Sequence, residues 1–423
     1  MGKTWKWKAR YTVLSILSIS WIVSFTDRAV MSVAIPYIAV DYHLSPLAMG
    51  AVLSAFFASY SISQIPGGLL SDKFGVRRVA TIAMLWWSVF TAITGAAANL
   101  TQMLIARFAF GLGEGVFPAC AFKMIAVWFP KKERATANAI KFASGPLGAA
   151  LAPLAVVQIV SLWGWRAVFY SLFLPGVLIS LLFWIFIPDK PSESGRVSRE
   201  ELVEIEESGG VATRSSERKV SLPEILKEPN VWKCFFVLFF FDIAYWGFTT
   251  WLPTYLVKAR GFSMVQMGVA ASLPNFAGII GCIFGGWVSD KYFSNNRRTP
   301  IVATQLLAAV FLYLTFTVKS AAMLVICQTL AGFCLMVFFS AFWAIPMNTV
   351  PVKLMGVTSG VINMAGQIAA FISPLLIGYL VGAEGGNFDF TFMLLIASVL
   401  VSCAIVSTLP SKLQPHQEGA VHG

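Results

Sequence analysis

The chain has 423 residues, of which 57% are hydrophobic and 12% are charged. That charged fraction is about half the share found in ordinary soluble domains, so a water-soluble globular protein is excluded. The net charge of +11 does not indicate binding to nucleic acid, because the basic residues are distributed as they are in the loops of a membrane protein.

Twelve apolar runs, each of about 18 residues or more and so long enough to cross a hydrocarbon core of about 30 Å, follow one another along the chain. Their approximate bounds are 12–38, 48–70, 79–99, 102–128, 136–160, 165–187, 231–257, 264–288, 300–318, 321–347, 355–382 and 388–409. We predict an all-α integral membrane protein with twelve transmembrane helices in two pseudo-symmetric six-helix bundles. The expected organisation is a first bundle over 1–187, a cytoplasmic linker over 188–230 with a short surface helix at 198–207, a second bundle over 231–410 and a cytoplasmic tail over 411–423.

Positive charge is concentrated in alternate loops. If both termini are cytoplasmic, the cytoplasmic segments hold 22 Lys and Arg residues and the opposite loops hold four. The positive-inside rule therefore places both termini in the cytoplasm. The first apolar run is not a signal peptide, because it is long, contains Asp27 and Arg28 and lacks a clear cleavage site. We expect a multi-pass protein of the plasma membrane, which is the inner membrane in a bacterium.

Charged residues occur near the middle of the first and fourth runs. At roughly 1.5 Å per helical residue, Asp27 and Glu114 both lie about 20 Å from the cytoplasmic side, and Arg28 is next to Asp27. Such residues cost at least about 2.5–3.5 kcal/mol at a lipid-exposed helix centre, so we expect them to face a cavity. A carboxylate there can exchange a proton, and Arg28 offers donors suited to an organic anion. The alternative is a static pair that only fixes the packing.

The stretch 67–78 reappears in altered form at 285–298, with Asp72 and Asp290 separated by 218 residues. A repeat at half the chain length predicts two similar halves in tandem. We expect the Gly67-Gly68 pair at the start of the first copy to allow close helix approach.

Basic residues accompany the repeated aspartate, Lys73, Arg77 and Arg78 in the first copy. We expect Asp72, Lys73, Arg77 and Asp290 to act in gating, as a charge cluster that holds the two halves closed on the cytoplasmic side. The alternative is that the basic residues only anchor the topology.

Arg107 and Glu114 are seven residues apart and share one face of the fourth helix. They form either an ion pair or a relay through water or Asp27. Gly111, Gly113 and Gly115 do not form a nucleotide-binding loop, because no strand precedes them, so we attribute them to close helix packing.

Several further polar residues lie inside or near the apolar runs. Lys123, Lys141 and Lys233 are near predicted helix ends, where lysines usually extend to the membrane surface; the alternative is a basic inner vestibule that attracts anions. Asp242 lies about eleven residues into the seventh helix. It is interpreted as a cavity-facing residue for coupling or specificity, or as a hydrogen-bonded structural aspartate.

The repeat at 67–78, the run 107–115 and the twelve helices resemble the major facilitator superfamily. Four stretches resemble, more narrowly, its anion:cation symporter family; they are Asp27-Arg28, Trp128–Ala135, Trp251–Leu256 and Ser359–Asn363. The resemblance implies that Asp27 and Glu114 take protons, that Arg107 tunes Glu114, and that Arg28 holds the substrate anion.

The resemblance also places Tyr60 in the substrate cavity. Ser340, Trp343 and Asn363 would supply hydroxyl, indole and amide donors from the second half. The segment 144–148 departs from the family, in which a polar amide is often found nearby, and so leaves room for a smaller anion.

The predicted function is import of a small organic anion (a sugar acid, sulfonate or carboxylate) by proton symport and alternating access. The alternatives are an anion exchanger of the same fold and, less favoured, a polytopic enzyme or sensor. We expect no cofactor or metal, since the six cysteines are scattered without ligand spacing. We expect no enzymatic activity, since the three histidines (His43, His416 and His422) lie in a loop and the tail and no sizeable soluble domain is predicted. The expected partners are the anion, protons and the lipid bilayer, with no nucleic acid, and the expected state is a monomer.

Overall fold

The computed structural model describes residues 7–207, 228–293, 296–343, 345–346 and 355–409, without the side chains of Ala135, Asp290 and 355–357. Within this part of the chain, twelve helices are long and apolar enough to cross a membrane. The predicted number of spans is therefore confirmed, and the protein is a multi-pass membrane protein. Residues 208–227 of the predicted linker and the predicted tail 411–423 lie outside the described residues.

The chain divides into two units, Met1–Glu217 and Arg218–Gly423. The described helices of the first unit are α1 (Ala9–Asp41), α2 (Pro46–Phe74), α3 (Val76–Ala96), α4 (Leu100–Glu114), α5 (Phe117–Trp128), α6 (Lys131–Trp163), α7 (Trp165–Phe186) and α8 (Arg199–Glu207). Those of the second unit are α9 (Pro229–Lys258), α10 (Met264–Tyr292), α11 (Arg298–Thr317), α12 (Ala321–Phe342), α13 (Met355–Ala383) and α14 (Asp389–Ser407).

Local sequence signals explain where several of these helices begin. The Ser45 hydroxyl accepts a hydrogen bond from the Ala48 amide at 3.2 Å, and the Asn99 side chain accepts one from the Gln102 amide at 3.0 Å. Ser263 and Gln266 form a reciprocal capping box at the start of α10. These side chains satisfy backbone amides that have no partner within the helix, and so they fix the first turn.

The two units repeat the same helix pairings. In the first unit α1 packs on α6, α2 on α4, and α3 on α7; in the second, α9 packs on α13, α10 on α12, and α11 on α14. The order of the partners along the chain is the same in both units. The packing therefore shows the internal repeat that the sequence predicts.

The glycine pairs of the repeated stretch behave alike in the two units. A Cβ on Gly67 would lie 2.7 Å from the Cα of Val116, and one on Gly285 would lie 2.9 Å from the Cα of Val337. The second glycines have room, since the nearest atom to a Cβ on Gly68 is 4.0 Å away. Close approach is thus confirmed for Gly67 and wrong for Gly68.

The fourth of the twelve spans, Leu100–Trp128, consists of α4 and α5 together and is interrupted in the middle. We predicted one continuous run over 102–128, whereas α4 ends at Glu114 and α5 begins at Phe117. The cause is Pro118, which has no amide hydrogen to give to the carbonyl of Glu114 and whose ring crowds that carbonyl. The Val116 amide bonds to the Gly113 carbonyl at 3.3 Å, which tightens the turn. The break therefore falls directly after a buried acidic residue.

The short helix α8 caps the first membrane helix. The Ser198 hydroxyl accepts from the Glu201 amide at 3.1 Å and starts α8, as the sequence predicts. The Glu201 carboxylate in turn accepts from the amides of Ala9 and Arg10, both at 3.0 Å. These two amides belong to the first turn of α1 and have no acceptor within that helix, so α8 supplies the hydrogen-bond acceptors that they need.

Glu204 on α8 is the centre of an ionic cluster. It pairs with Lys8 at 2.7 Å, Arg10 at 2.9 Å and Lys132 at 3.1 Å. Arg10 also reaches Glu133 on α6 at 3.0 Å. The hydrogen bond from Arg10, with those from Lys8 and Lys132, lowers the pKa of Glu204 to about 2. Through α8, the ends of α1 and α6 are joined.

All six cysteines are free, and five of them are buried, as expected for small core residues.

Candidate functional site

The centre of the candidate site is an ion pair between α1 and α4. The Arg28 Nε donates to Glu114 Oε1 at 2.5 Å, and the Ser24 hydroxyl donates to the same oxygen. The Glu114 side chain is 1% exposed and that of Arg28 is 12% exposed. Among the described side chains, the ion-pair partner of Glu114 is thus Arg28, and not Arg107, which the sequence offered as an alternative.

Aromatic rings surround the guanidinium of Arg28. Its Cζ lies 4.5 Å from the ring centre of Tyr60, 4.9 Å from that of Phe25 and 5.3 Å from that of Phe56. Ring faces attract a cation, and more strongly where water is excluded. Tyr60 is therefore beside Arg28; its place in a substrate cavity stays a prediction. Phe25 and Phe56 were not predicted.

Asp27 and Arg107 complete a set of four buried charges. Each is 2% exposed, and Arg107 lies close enough to Asp27, Glu114 and Arg28 to interact electrostatically with all three. The Arg107 Cζ lies 4.4 Å from the ring centre of Phe110. With all four ionised, two carboxylates balance two guanidiniums. We expected these residues to face a cavity; in this structure Asp27, Glu114 and Arg107 are buried and Arg28 is partly exposed, and the cavity stays a prediction.

Several polar atoms of this cluster have no hydrogen-bond partner in the described part of the chain. They are Asp27 Oδ1, Glu114 Oε2 and Arg107 Nε. Buried polar atoms are nearly always hydrogen-bonded, so such exceptions mark places where a proton, a water molecule or a ligand is accommodated. The cluster therefore has unused capacity for proton and anion binding.

The glycines at the end of α4 place this helix directly against α2. A Cβ on Gly111 would lie 2.5 Å from the carbonyl oxygen of Phe56, and one on Gly115 would overlap the carbonyl oxygen of Tyr60. Only glycine permits this approach, which confirms close packing as the reason for the glycine-rich run. Tyr60 of α2 and Glu114 of α4 both contact Arg28.

Lys141 lies inside the first unit instead of at its surface. Its Nζ lies 3.8 Å from the ring centre of Phe122, 4.2 Å from that of Phe142 and 4.5 Å from that of Trp21. It is fully buried, and its Nζ is 3.4 Å from Asn138 Oδ1. Both predictions for Lys141, extension to the membrane surface and a basic vestibule, are therefore wrong. The reason is that α6 begins at Lys131, well before the apolar run, which puts Lys141 deep in the helix.

The predicted gating residues have separate partners in the first unit. Asp72 pairs with Lys123 at 2.6 Å, and the Lys123 Nζ also donates to the carbonyl oxygen of Ser71. Arg77 Nε donates to the carbonyl oxygen of Trp184 at 2.7 Å.

Lys73 Nζ lies 5.1 Å from the ring centre of Phe74. Asp72 is therefore held by a lysine of α5 and not by its sequence neighbours. The side chain of Asp290 lies outside the described residues, so a gating role for this set stays a prediction.

Asp242 is buried in the second unit, at 4% exposure, with no hydrogen-bond partner for Oδ1 among the described residues. It lies against Gly366 of α13, where a Cβ would overlap its Oδ2. It thus faces the neighbouring helix in this structure, and its role in coupling or specificity stays a prediction.

The other second-unit residues are less enclosed. Ser340, Trp343 and Asn363 are half-buried, and the Ser340 hydroxyl donates to the Val337 carbonyl oxygen at 3.0 Å. Lys233 Nζ donates to the carbonyl oxygen of Thr408 at 3.2 Å.

Ser24 is the hydrogen-bonding residue that the sequence interpretation missed. It lies four residues before Arg28, on the same face of α1. That spacing from a membrane-centre arginine was the available signal.

Twelve membrane-crossing helices, an internal packing repeat and buried balanced charges together define a polytopic membrane protein of the transporter type. The family model of the Major Facilitator Superfamily matches residues 17–374. The chain therefore belongs to the Major Facilitator Superfamily.

Three comparisons illustrate this membership. The probable galactarate/D-glucarate transporter GarP of Escherichia coli K12 is 34% identical over 396 residues, covering 88% of each chain. The probable sulfoacetate transporter SauU of Cupriavidus necator is 31% identical over 395 residues, covering 92% of this chain and 90% of that protein.

A crystal structure of a bacterial homolog of the human lysosomal transporter Spinster, inward-facing and occupied, aligns with a TM-score of 0.77 at 19% identity. It covers 96% of this chain and 99% of that one, and at this identity it shows the fold alone. The family membership and the curated transporter relatives show that the protein is a solute transporter and not an enzyme, as the sequence predicts.

Proposed function

We propose that the protein imports a small organic anion together with protons, as a secondary active transporter that works by alternating access. The observation that carries the proposal is the buried Arg28–Glu114 pair, with Asp27 and Arg107 close by. The similar proteins named above support the substrate class, since galactarate, glucarate and sulfoacetate are all small organic anions.

The geometry suggests how the proton and the anion are linked. In the structure, the Arg28 Nε donates its hydrogen bond to the Glu114 carboxylate and is not available to an anion. A proton on Glu114 would weaken that interaction and free the guanidinium fork for a carboxylate or sulfonate. Proton binding would therefore favour anion binding, and loss of the proton on the inner side would restore the pair and release the anion. Asp27 is the second proposed proton site, and Arg107 tunes Glu114.

Protons also resolve the electrical cost of import. A membrane potential that is negative inside opposes the entry of an anion by about 2.3 kcal/mol per charge per 100 mV. Each co-transported proton offsets one such charge. The proposed orientation, with both termini in the cytoplasm of a bacterial inner membrane, gives import this direction.

The remaining predicted residues enter the proposal in two groups. Tyr60, Ser340, Trp343 and Asn363 contribute with Arg28 to substrate recognition. Asp72, Lys73, Arg77 and Asp290 contribute to gating. A monomer is the proposed functional state.

The test is uptake of radiolabelled anions by proteoliposomes with a controlled pH gradient. Galactarate, glucarate and sulfoacetate are the first probes, because similar proteins are named for them. We expect uptake that follows an inward proton gradient, stops when a protonophore collapses the gradient, and falls to background in Arg28→Gln. The matched control is Arg166→Gln, which removes an exposed arginine of the same unit.

Two results would overturn the proposal in different ways. Uptake that ignores both the protonophore and Arg28→Gln would remove the proposed chemistry altogether. Uptake only into liposomes preloaded with unlabelled anion, and none into empty liposomes with a proton gradient, would identify an anion exchanger.

A further inference from the structure

A groove of about 400 Å³ runs along the first unit between α2, α3 and α4. Its walls carry exposed apolar side chains, among them Leu70, Phe74, Ile82 and Trp86. The only polar atom of the Trp86 ring is occupied, since its Nε1 donates to the carbonyl oxygen of Ala109 at 2.7 Å. The groove is therefore an apolar channel on the surface of a protein that crosses a membrane.

Positive charge lies at one end of this groove. Among the described residues that line it, Arg78 alone is charged. Arg78 is exposed at the start of α3, and no hydrogen bond or ion pair joins it to another described residue. The neighbouring Arg77 is engaged, because it donates to the carbonyl oxygen of Trp184 and lies 4.3 Å from the Trp184 ring centre. Lys73, above the ring of Phe74, adds a second cation near the same end.

The charge and the apolar walls are arranged along the helix axis. Arg78 and Trp86 are eight residues apart on α3, which corresponds to about 12 Å. Helix ends lie at the level of lipid headgroups, and the helix interior lies among the acyl chains. A molecule that matches both parts has an anionic head and a long apolar chain.

We propose that the groove binds one anionic phospholipid, with its phosphate on Arg78 and an acyl chain along the groove. The acyl chain would lie against Gly113 and Val116, beside the α4–α5 break. Acyl chains surround the protein everywhere, so apolar contact alone gives no preference between lipids. Selectivity therefore comes from the headgroup charge. A basic residue near the membrane surface favours an anionic lipid by about fivefold.

The experiment is native mass spectrometry of the purified full-length protein, titrated with phosphatidylglycerol or phosphatidylcholine that carry identical oleoyl chains. For the unaltered protein we expect the first bound lipid to be phosphatidylglycerol, preferred about fivefold. Arg78→Gln should reduce this preference to about one. Lys131→Gln is the matched control, because Lys131 is also exposed at the start of a helix on the same side but does not line the groove; it should keep the preference.

Two further arms separate a lipid from a small anion. Ile82→Trp adds bulk at an exposed position of the groove and should reduce the binding of both lipids. An excess of glycerol 3-phosphate, which has the phosphate without the chain, should not displace phosphatidylglycerol. Equal binding of the two lipids by the unaltered protein, a preference that survives in Arg78→Gln, lipid binding unaffected by Ile82→Trp, or displacement by glycerol 3-phosphate would each overturn the proposal. None of these measurements depends on transport.

Discussion

The Arg28–Glu114 pair allows a quantitative test of the buried charge cluster. Glu114→Gln removes one negative charge and leaves two guanidiniums facing the single carboxylate of Asp27. Removing one partner of a buried ion pair costs about 3–5 kcal/mol. For a unit of this size, about 2–4 °C of Tm corresponds to each kcal/mol, so Glu114→Gln should lower the Tm by about 6 °C or more. Arg28→Gln should have a similar effect, because it leaves Glu114 unpaired.

The double variant Glu114→Gln/Arg28→Gln distinguishes charge balance from packing. It leaves Arg107 opposite Asp27 and so restores neutrality, and we expect it to be no less stable than either single variant. The coupling between the two positions would then be about 3 kcal/mol. The assay is thermal unfolding of purified protein in detergent, followed by intrinsic tryptophan fluorescence.

An exposed pair of the same unit provides the control for this cycle. Arg166 and Asp41 are 3.1 Å apart, and their side chains are 43% and 46% exposed. Because such pairs contribute up to about 1 kcal/mol, Arg166→Gln should lower the Tm by only a few degrees. Additive effects in the double variant, or a Glu114→Gln protein as stable as the unaltered one, would refute the reasoning.

Three further predictions concern packing and pH. Gly115→Ala should destabilise the protein by about 1–3 kcal/mol through overpacking against α2, whereas Gly68→Ala, which has 4.0 Å of room, should leave the Tm unchanged; equal effects would contradict the contact. Gly366→Ala should lower the Tm by displacing the carboxylate of α9, while Gly360→Ala, with nothing within 4 Å of its Cβ, should not. The pKa of Glu204 is lowered from 4.5 to about 2, so the stability that Glu204 contributes is fully present above about pH 4.5 and is lost as the pH falls towards 2. The Tm difference between the unaltered protein and Glu204→Gln should therefore disappear over that interval. A difference that persists at pH 2 would argue against the cluster.

The twelve spans could be predicted because span length is set by the thickness of the bilayer, which the sequence must match residue by residue. The depth of Asp27 and Glu114 followed from the same rise per residue. The break after Glu114 was also visible in principle, since Pro118 is four residues further on. The prediction of one continuous run over 102–128 places that proline inside the helix. A proline four residues after Glu114 predicts a break in the helix directly after that residue, because it cannot donate to the Glu114 carbonyl.

The pairing of the charges could not be predicted, because depth does not specify which way a helix is rotated about its axis. Arg28 meets Glu114 since the glycines of α4 bring that helix against α2 and turn Glu114 towards α1. Asp72 meets Lys123, which is 51 residues away in the chain, for a similar reason. Both contacts depend on the packing of different helices, and a single sequence contains no direct signal for such packing.

The two units share their packing and differ in their chemistry at equivalent places. The pairing of α1 with α6 corresponds to that of α9 with α13. In the first unit, Gly148 of α6 accommodates the backbone of Ile22; in the second, Gly366 of α13 accommodates the carboxylate of Asp242.

The same helix contact thus carries a buried charge in one unit and backbone in the other, while the ionic cluster of the first unit lies on the contact between α1 and α4. Because the ionic cluster that the structure describes lies in the first unit, the proton binding proposed for Glu114 would act there. Since Glu114 lies directly before the α4–α5 break, we infer that its protonation changes the local contacts of α1 with α4, which makes the proposed linkage between proton and anion a property of the first unit.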